Sequence, residues 1–484
     1  MLLSIALRAR FLTTPLTSDE GGYLVVARAW ASGRKLYTDT WVDRPQGLLV
    51  VFRIWDALTG GSDPAIRVMA MIFGCAAVAA VAYVAFAIAG SRAAALAAVF
   101  VAVASANARI EGFIANGELL AGATAATGVA VACAYMFRGR GQSWLFAAGV
   151  LSGCAISLKQ SGCDGFAAVL VCLLAGVVTR ERTWRQVLRE SALFVAGTAA
   201  VVAVLVAHGA AVGIGAWWYA VAGYRLEGIN ATSRADWGRF GETAAIAAPT
   251  MLPLIGAAAA GIALWLPRRP HHVTRATILI PTWVFCAVAT FLAGGLFHRH
   301  YWVTLTFPLA VAAAVGVHRS LPRLVLPALA TALVLPSVIS TMQVVTMDRD
   351  EATYVASGDP RSTMNERVAA WYREHDTSSS SIFAMCASAA LYSSADSLSP
   401  YPFLWQDGVL NGRDAQAKLV GLFAGDDAPT YVVEYQSTQV CNPSGQVDRL
   451  LRERYRPLTV VDGRRILVLD PTAVPTPPAS PRRL

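Results

Sequence analysis

Charge is what this sequence has least of. Only 15% of its 484 residues are Asp, Glu, Lys or Arg, 55% are hydrophobic, and the mean hydropathy is +0.49. A soluble chain of this size carries nearer 25% charge, so most of the length is not an ordinary water-soluble domain. The long apolar runs are nearly free of acids, and no internal repeat is visible. Both features argue against a transporter, which places ionisable groups inside its spans and often pairs repeats. No Cys-x-x-Cys and no His/Cys cluster with zinc spacing occurs. Cys75, Cys133, Cys154, Cys163, Cys172 and Cys286 lie in or beside apolar runs, where a thiol behaves as a small apolar group. A net charge of +9 comes without a basic stripe interleaved with aromatics, which sets nucleic acid aside. Nor is a cleavable signal peptide evident in Met1 to Leu7 followed by Arg8 and Arg10.

What the chain does have is apolar runs near 20 residues long, at 67–89, 93–106, 119–137, 144–158, 162–178, 191–212, 243–266, 276–296, 301–317 and 325–345. They predict a polytopic α-helical membrane protein of about 10–11 spans. Gly149 and Gly153 make a small-xxx-small spacing that reads as helix packing. The connections alternate in charge. One set holds Arg92, Arg138, Arg140, Arg180, Arg182, Arg185, Arg189, Arg268, Arg269, Arg275, Arg319 and Arg323, with Glu181 as its only clear acid, and is cytoplasmic by the positive-inside rule. The other set is extracytoplasmic: 107–118, Lys159-Gln160, 213–242, 297–300, everything after Thr346, and an opening loop at about 17–63. A span should then precede Asp19, and residues 1–12 are too short for one, so the start lies upstream or the first helix is truncated.

The opening loop breaks the charge rule with Arg28, Arg34, Lys35, Arg44 and Arg53. Either anionic phosphates account for these cations, or Asp39, Asp43 and Asp56 neutralise them. Asp19 is a candidate general base, since an attacking hydroxyl must lose a proton that a positioned carboxylate can take, or else a helix-capping acid. Glu20 orients the acceptor or caps a helix over 22–30. Lys159 ends an apolar helix, where a charge is costly without an anion; it binds phosphate or snorkels to the interface. Arg44 offers a planar fork suited to phosphate. Glu118 is a second acid at the acceptor or a favoured helix N-terminal charge. His298 and His300 form one His-x-His without a third ligand, too little for a metal site. The aromatics Trp217, Trp218, Tyr219, Tyr224 and Trp237 read first as an interface belt and second as sugar-stacking groups. Asn230-Ala231-Thr232 is a lone glycosylation triplet and is given no role.

Asp19-Glu20 with Tyr23, Gly33 with Leu36-Tyr37, and Asp43-Arg44-Pro45 resemble the first outer loop of the C-type (GT-C) glycosyltransferases, in the protein O-mannosyltransferase and aminoarabinose-transferase group. Ala65-Ile66-Arg67, Gly153 with Lys159-Gln160, and His300-Tyr301 with Pro308 extend the resemblance. Where that family commonly has Lys-Pro-Pro, this chain has Arg44-Pro45-Gln46. The resemblance implies sugar transfer, with inversion, from a polyprenyl-phosphate donor to a glycan, lipid or protein acceptor on the extracytoplasmic face. It implies Asp19 and Glu20 as catalytic groups, with Arg44, Lys159, Tyr301 and His300 on the donor phosphate. Asp43, Glu118 and Tyr37 are then acceptor-side or supporting. No cofactor is implied beyond the lipid-linked sugar, and the Ala- and Arg-rich style suits a bacterial inner membrane. The runner-up is a transporter or flippase of a lipid-linked substrate.

The sequence divides into a membrane domain over 1–346, an extracytoplasmic α/β domain over 347–470 and a disordered Pro-rich tail over 471–484. In the second domain 363–375 and 447–455 read as helices, 381–387 and 431–435 as strands, and 458–469 as a hairpin turning at Asp462-Gly463. Cys386 and Cys441, its only cysteines, are expected to pair in an oxidising compartment.

Overall fold

The computed structural model describes residues 1–227, 235–265, 274–320, 326–377, 380–386 and 388–471. The 230–232 triplet, Arg268, Arg269, Arg323 and nearly all of the Pro-rich tail lie outside the described residues. In chain order the first nine helices are α1 (Leu2–Ala9), α2 (Ser18–Ala31), α3 (Gln46–Thr59), α4 (Asp63–Ala89), α5 (Ser91–Ala104), α6 (Gly117–Arg138), α7 (Ser143–Leu158), α8 (Asp164–Val178) and α9 (Trp184–Val212). The helices Trp237–Trp265, Arg275–Ala293, Tyr301–Ser320 and Leu326–Val345 follow. Each predicted run is a helix. Eight helices among the described residues are long and apolar enough to cross a membrane, and the shorter α5 and α7 fill the other two runs.

Burial sorts these helices. The apolar window of Tyr301–Arg319 is 89% buried in protein and that of α9 only 22%, so the former is the hub and the latter faces outward. Close approach of α7 and α9 depends on glycine: a Cβ on Gly149 would stand 1.9 Å from the Phe194 carbonyl oxygen.

The stretch 17–63 differs from the expected loop. It holds two helices joined by a short irregular segment. Thr17 and Glu20 form a reciprocal capping box that starts α2 one turn earlier than expected. In α3, Leu48, Leu49 and Phe52 are buried while Val50, Ile54 and Leu58 face outward. An outward apolar stripe suits a helix lying at a membrane surface, and Gly60 in the left-handed conformation ends it. The cations of this stretch have local partners. Arg28 pairs with Asp56 at 3.0 Å and Asp396 at 3.2 Å, Arg34 donates to the Ser399 carbonyl at 2.6 Å, and Arg53 lies 4.9 Å over the Trp30 ring. The neutralising reading therefore holds for Arg28.

The basic connections gather at one end of the bundle. Arg138 and Arg319 donate to the Phe86 and Ile88 carbonyls at the end of α4. Nearby, Glu190 accepts from Tyr135 at 2.7 Å and Arg182 at 2.9 Å, and Glu181 from Arg275 at 2.8 Å. The opposite end carries α2, α3, the 105–116 and 294–300 loops and the last part of the chain. Arg8 of α1 is buried there and donates to the Gly112 and Ser105 carbonyls at 2.9 and 2.8 Å, which fixes the loop carrying Glu111.

After Val345 come helices Arg349–Ser357 and Arg361–His375 and a four-stranded sheet of order β1-β2-β4-β3. Strands β1 (Ile382–Met385) and β2 (Tyr431–Glu434) are parallel; β4 (Arg464–Leu469) is antiparallel to both β2 and β3 (Tyr455–Val461). Asp462 and Gly463 both have positive φ, 50° and 74°, which is the two-residue hairpin turn the Asp-Gly pair signals. Helices Ala389–Ser394, Gln406–Asn411 and Ala415–Ala424 were not expected; they are short, and the first two lie against α2 and the opening segment rather than making an independent amphipathic pattern. A disulfide joins Cys386 and Cys441, with Cα atoms 5.3 Å apart.

Candidate active site

A cavity of about 510 Å³ opens at the end of the bundle opposite the basic loops. Its walls come from the start of α2, the 41–44 segment, the 224–225 and 296–301 stretches, and, from the last part of the chain, 357–361 and 404–408.

The first turn of α2 sends its two acids different ways. Glu20 is fully buried and turned into the protein. Its carboxylate accepts from Arg67 at 2.7 Å, from the Ala115 amide at 2.8 Å and from the Thr17 amide at 3.1 Å. It does not line the cavity, so the expected catalytic role gives way to the capping one: every approach to the carboxylate is taken by a fixed donor. Removing one partner of a buried pair costs about 3–5 kcal/mol. Glu20→Ala is therefore expected to lower thermal stability sharply while the folded fraction keeps its turnover; an unchanged melting temperature with lost turnover would return Glu20 to the chemistry.

Asp19, one residue earlier, faces the cavity. Its Oδ1 accepts from the Trp405 indole at 3.1 Å, and its Oδ2 lies 3.8 Å from His300 Nε2. His300 sits among carboxylates, with Nδ1 2.6 Å from Glu111 and Nε2 3.6 Å from Glu118. That placement sets His300 beside Asp19 in the wall of the cavity that Arg44 also lines. His298 stacks on it at 5.5 Å, and burial, reinforced by the charges of His300 and Arg239, pushes the His298 pKa well down. It presents a neutral ring at neutral pH.

Arg44 and Arg225 share one carboxylate, Asp43. Arg44 is 2.8 Å from it and Arg225 is also ion-paired to it. Burial pushes the Asp43 pKa up, but the two guanidinium charges outweigh that and hold it at about 2, so Asp43 stays ionised at any physiological pH. The group carries one net positive charge: two cations on one anion. Arg44 is 7% exposed, lines the cavity, and its buried Nε has no hydrogen-bond partner among the described residues. Tyr37 does not line the cavity. Held at φ 71°, it donates its hydroxyl to the Arg44 carbonyl at 2.9 Å and so positions that loop. Gln160 does the same for Asp43, donating to its carbonyl at 3.2 Å and to that of Val221 at 2.8 Å.

Lys159 and Glu118 form an ion pair behind Tyr301, with the ammonium 4.3 Å from the ring centre. Neither lines the cavity, whereas Tyr301 does. Glu118 thus supplies the anion that a charge at the end of an apolar helix requires. Three non-glycine residues with positive φ, Tyr37, Glu111 and Phe297, lie in these site loops, where strain is commonly stored.

The sequence reading passed over Arg225, Glu111 and Trp405. Arg225 carried a signal: it is a cation in a connection of the acid-tolerant set, as Arg44 is. Glu111 lay within the 107–118 stretch without a motif around it. Nothing local pointed to Trp405.

Residues 51–223 match the family model described as dolichyl-phosphate-mannose-protein mannosyltransferase. No curated protein matches the chain in sequence. In structure the chain is similar to ArnT from Cupriavidus metallidurans bound to undecaprenyl phosphate, with a TM-score of 0.66 at 12% identity over 98% of this chain and 97% of that one. It is also similar to the Archaeoglobus fulgidus oligosaccharyltransferase in complex with zinc and sulfate, with a TM-score of 0.56 at 14% identity over 94% and 70%. The oligosaccharyltransferase AglB of the same organism, in complex with an inhibitory peptide and a dolichol-phosphate, gives 0.54 at 11% identity over 94% and 71%. At these identities the likeness is one of fold.

Proposed function

From a chain that has the fold of the C-type membrane glycosyltransferases, we propose that it moves a sugar from a polyprenyl-phosphate carrier to a hydroxyl-bearing acceptor, with inversion. One observation carries the reading: the Asp19 carboxylate and the Arg44–Asp43–Arg225 group line the same cavity. The undecaprenyl phosphate and dolichol-phosphate bound by the two relatives support the choice of carrier.

In this mechanism the acceptor oxygen attacks C1 of the sugar while its proton passes to Asp19. The bond from C1 to the phosphate oxygen breaks, and the electron pair leaves with the polyprenyl phosphate. That group gains negative charge as it departs, and Arg44 and Arg225 stabilise the gain, with the Tyr301 hydroxyl as a third donor. One base suffices because the leaving group needs no acid. Asp43 sets the spacing of the two guanidinium groups. Lys159 and Glu118 act one layer back, on Tyr301. The acceptor is a glycan, a lipid or a protein. The cavity opens on the extracytoplasmic face of the membrane, with the 347–470 unit outside and the basic connections inside.

The test uses sealed proteoliposomes with polyprenyl-phosphate mannose as donor probe and a threonine-containing peptide or water as acceptor. Release of polyprenyl phosphate is expected, together with protection of an Arg185→Cys thiol from an impermeant maleimide in intact cells. Carrier movement across the bilayer without release would leave a flippase, and labelling at position 185 would reverse the orientation.

A further inference from the structure

The last part of the chain reaches back onto the first turns of α2. Trp405 Nε1 donates to Asp19 Oδ1 at 3.1 Å across 386 residues. The indole packs at 5.5 Å against the Tyr23 ring. Its seat exists because α2 has glycine there: a Cβ on Gly22 would stand 2.4 Å from Trp405 Cζ2, and one on Gly21 would stand 2.6 Å from the Ala390 Cα. The other side of the segment is fixed to the donor-side loop, where the Trp41 amide donates to the Pro402 carbonyl at 3.0 Å and the Trp41 and Phe403 rings lie 5.1 Å apart. The Gly21-Gly22 pair that follows the two acids is therefore a docking seat.

We propose that Trp405 is a positioning residue for Asp19, through which the C-terminal α/β unit acts on the active site. The inference rests on Asp19 being the general base. An indole N–H donates and cannot accept, so it fixes one carboxylate oxygen without competing for the proton. With Oδ1 pinned, Oδ2 is left on the side of His300, facing the cavity, to receive the acceptor's proton. A general base works only within hydrogen-bond reach of that proton, and a misplacement of about 1 Å costs up to about 100-fold.

The experiment compares Trp405→Phe, Asp19→Asn and the double variant in full-length protein, with polyprenyl-phosphate mannose as the donor probe. Phe keeps a ring against Tyr23 and loses only the donor. Trp405→Phe is expected to lower kcat about tenfold with the donor KM unchanged, and to add no further loss in the Asp19→Asn background. A kcat within twofold of wild type overturns the proposal, as does an equal loss in both backgrounds, which would mark general structural damage. A structure of Trp405→Phe gives an arm independent of turnover: Asp19 spread over two rotamers supports the role, and one unchanged rotamer overturns it. If Asp19→Asn alone is as active as wild type, the base assignment has failed, and Trp405 has nothing to position. If Asp19→Asn is inactive while Trp405→Phe is normal, only the role of Trp405 falls.

Discussion

Asp19→Asn protein is expected to fold, to bind polyprenyl phosphate as wild type does, and to transfer sugar at least about 100-fold more slowly, the usual share of a general base. The substitution is close to isosteric. Asn keeps an oxygen for the Trp405 indole, which now donates at 3.1 Å. It loses one acidic charge in the first turn of α2, worth about 0.3–1 kcal/mol of helix stability. A pure helix-terminus role for Asp19 thus predicts a slightly less stable enzyme with normal turnover. The base role predicts a nearly normal fold with turnover gone. Transfer rate and carrier binding measured on the same preparation separate the two, and turnover near wild type would remove Asp19 from the mechanism. An acceptor that is already an ionised phosphate needs no base, so a small loss confined to such an acceptor would identify the acceptor instead.

Replacing Arg44 or Arg225 by Ala is expected to weaken carrier binding by about 2–5 kcal/mol, the range for truncating one partner of a buried charge pair. The two variants should differ in kind. Arg44 is almost wholly buried, whereas the Arg225 side chain is 35% exposed, so solvent screens the latter and its loss falls at the lower end. Either loss leaves Asp43 with one cation, which turns a net positive group neutral. Arg44→Lys keeps the charge and gives up the planar fork, so it should retain part of the affinity. Vesicle binding with polyprenyl phosphate, at two salt concentrations, reads this directly. Unchanged affinity in both Ala variants would move the phosphate elsewhere in the cavity.

The membrane part was legible because run length and hydropathy are enough to specify a helix in a bilayer, where backbone groups must be satisfied within the segment. The C-terminal strands were legible as short apolar runs and the hairpin from the turn chemistry of Asp462-Gly463. The α3 helix was not, since its Arg and Asp suggested a loop and its outward apolar stripe has a meaning only beside a membrane surface. Asp19 and Arg44 were singled out from residue type and side of the bundle, Asp43 and Tyr301 chiefly from the family resemblance, and all four line the cavity. For Glu20 the sequence left acceptor and cap open, because adjacency to Asp19 says nothing about direction: neighbours on a helix point about 100° apart, and Glu20 turns to Arg67. Trp405 was out of reach because its partner lies 386 residues away and no periodicity spans that distance.

The Gly21-Gly22 seat also bears on when the cavity is completed. A nascent chain inserts its spans as they emerge, and domains fold as units from the N-terminal side. Asp19, Arg44, Arg225 and Tyr301 are all synthesised before residue 302, yet two stretches of the cavity wall, 357–361 and 404–408, come later. Until then the seat on α2 stands empty and the acid beside it lacks its indole donor. If the proposed reading holds, a protein cut short after its last span is expected to insert and to transfer no sugar, which the donor-release assay on such a truncation checks.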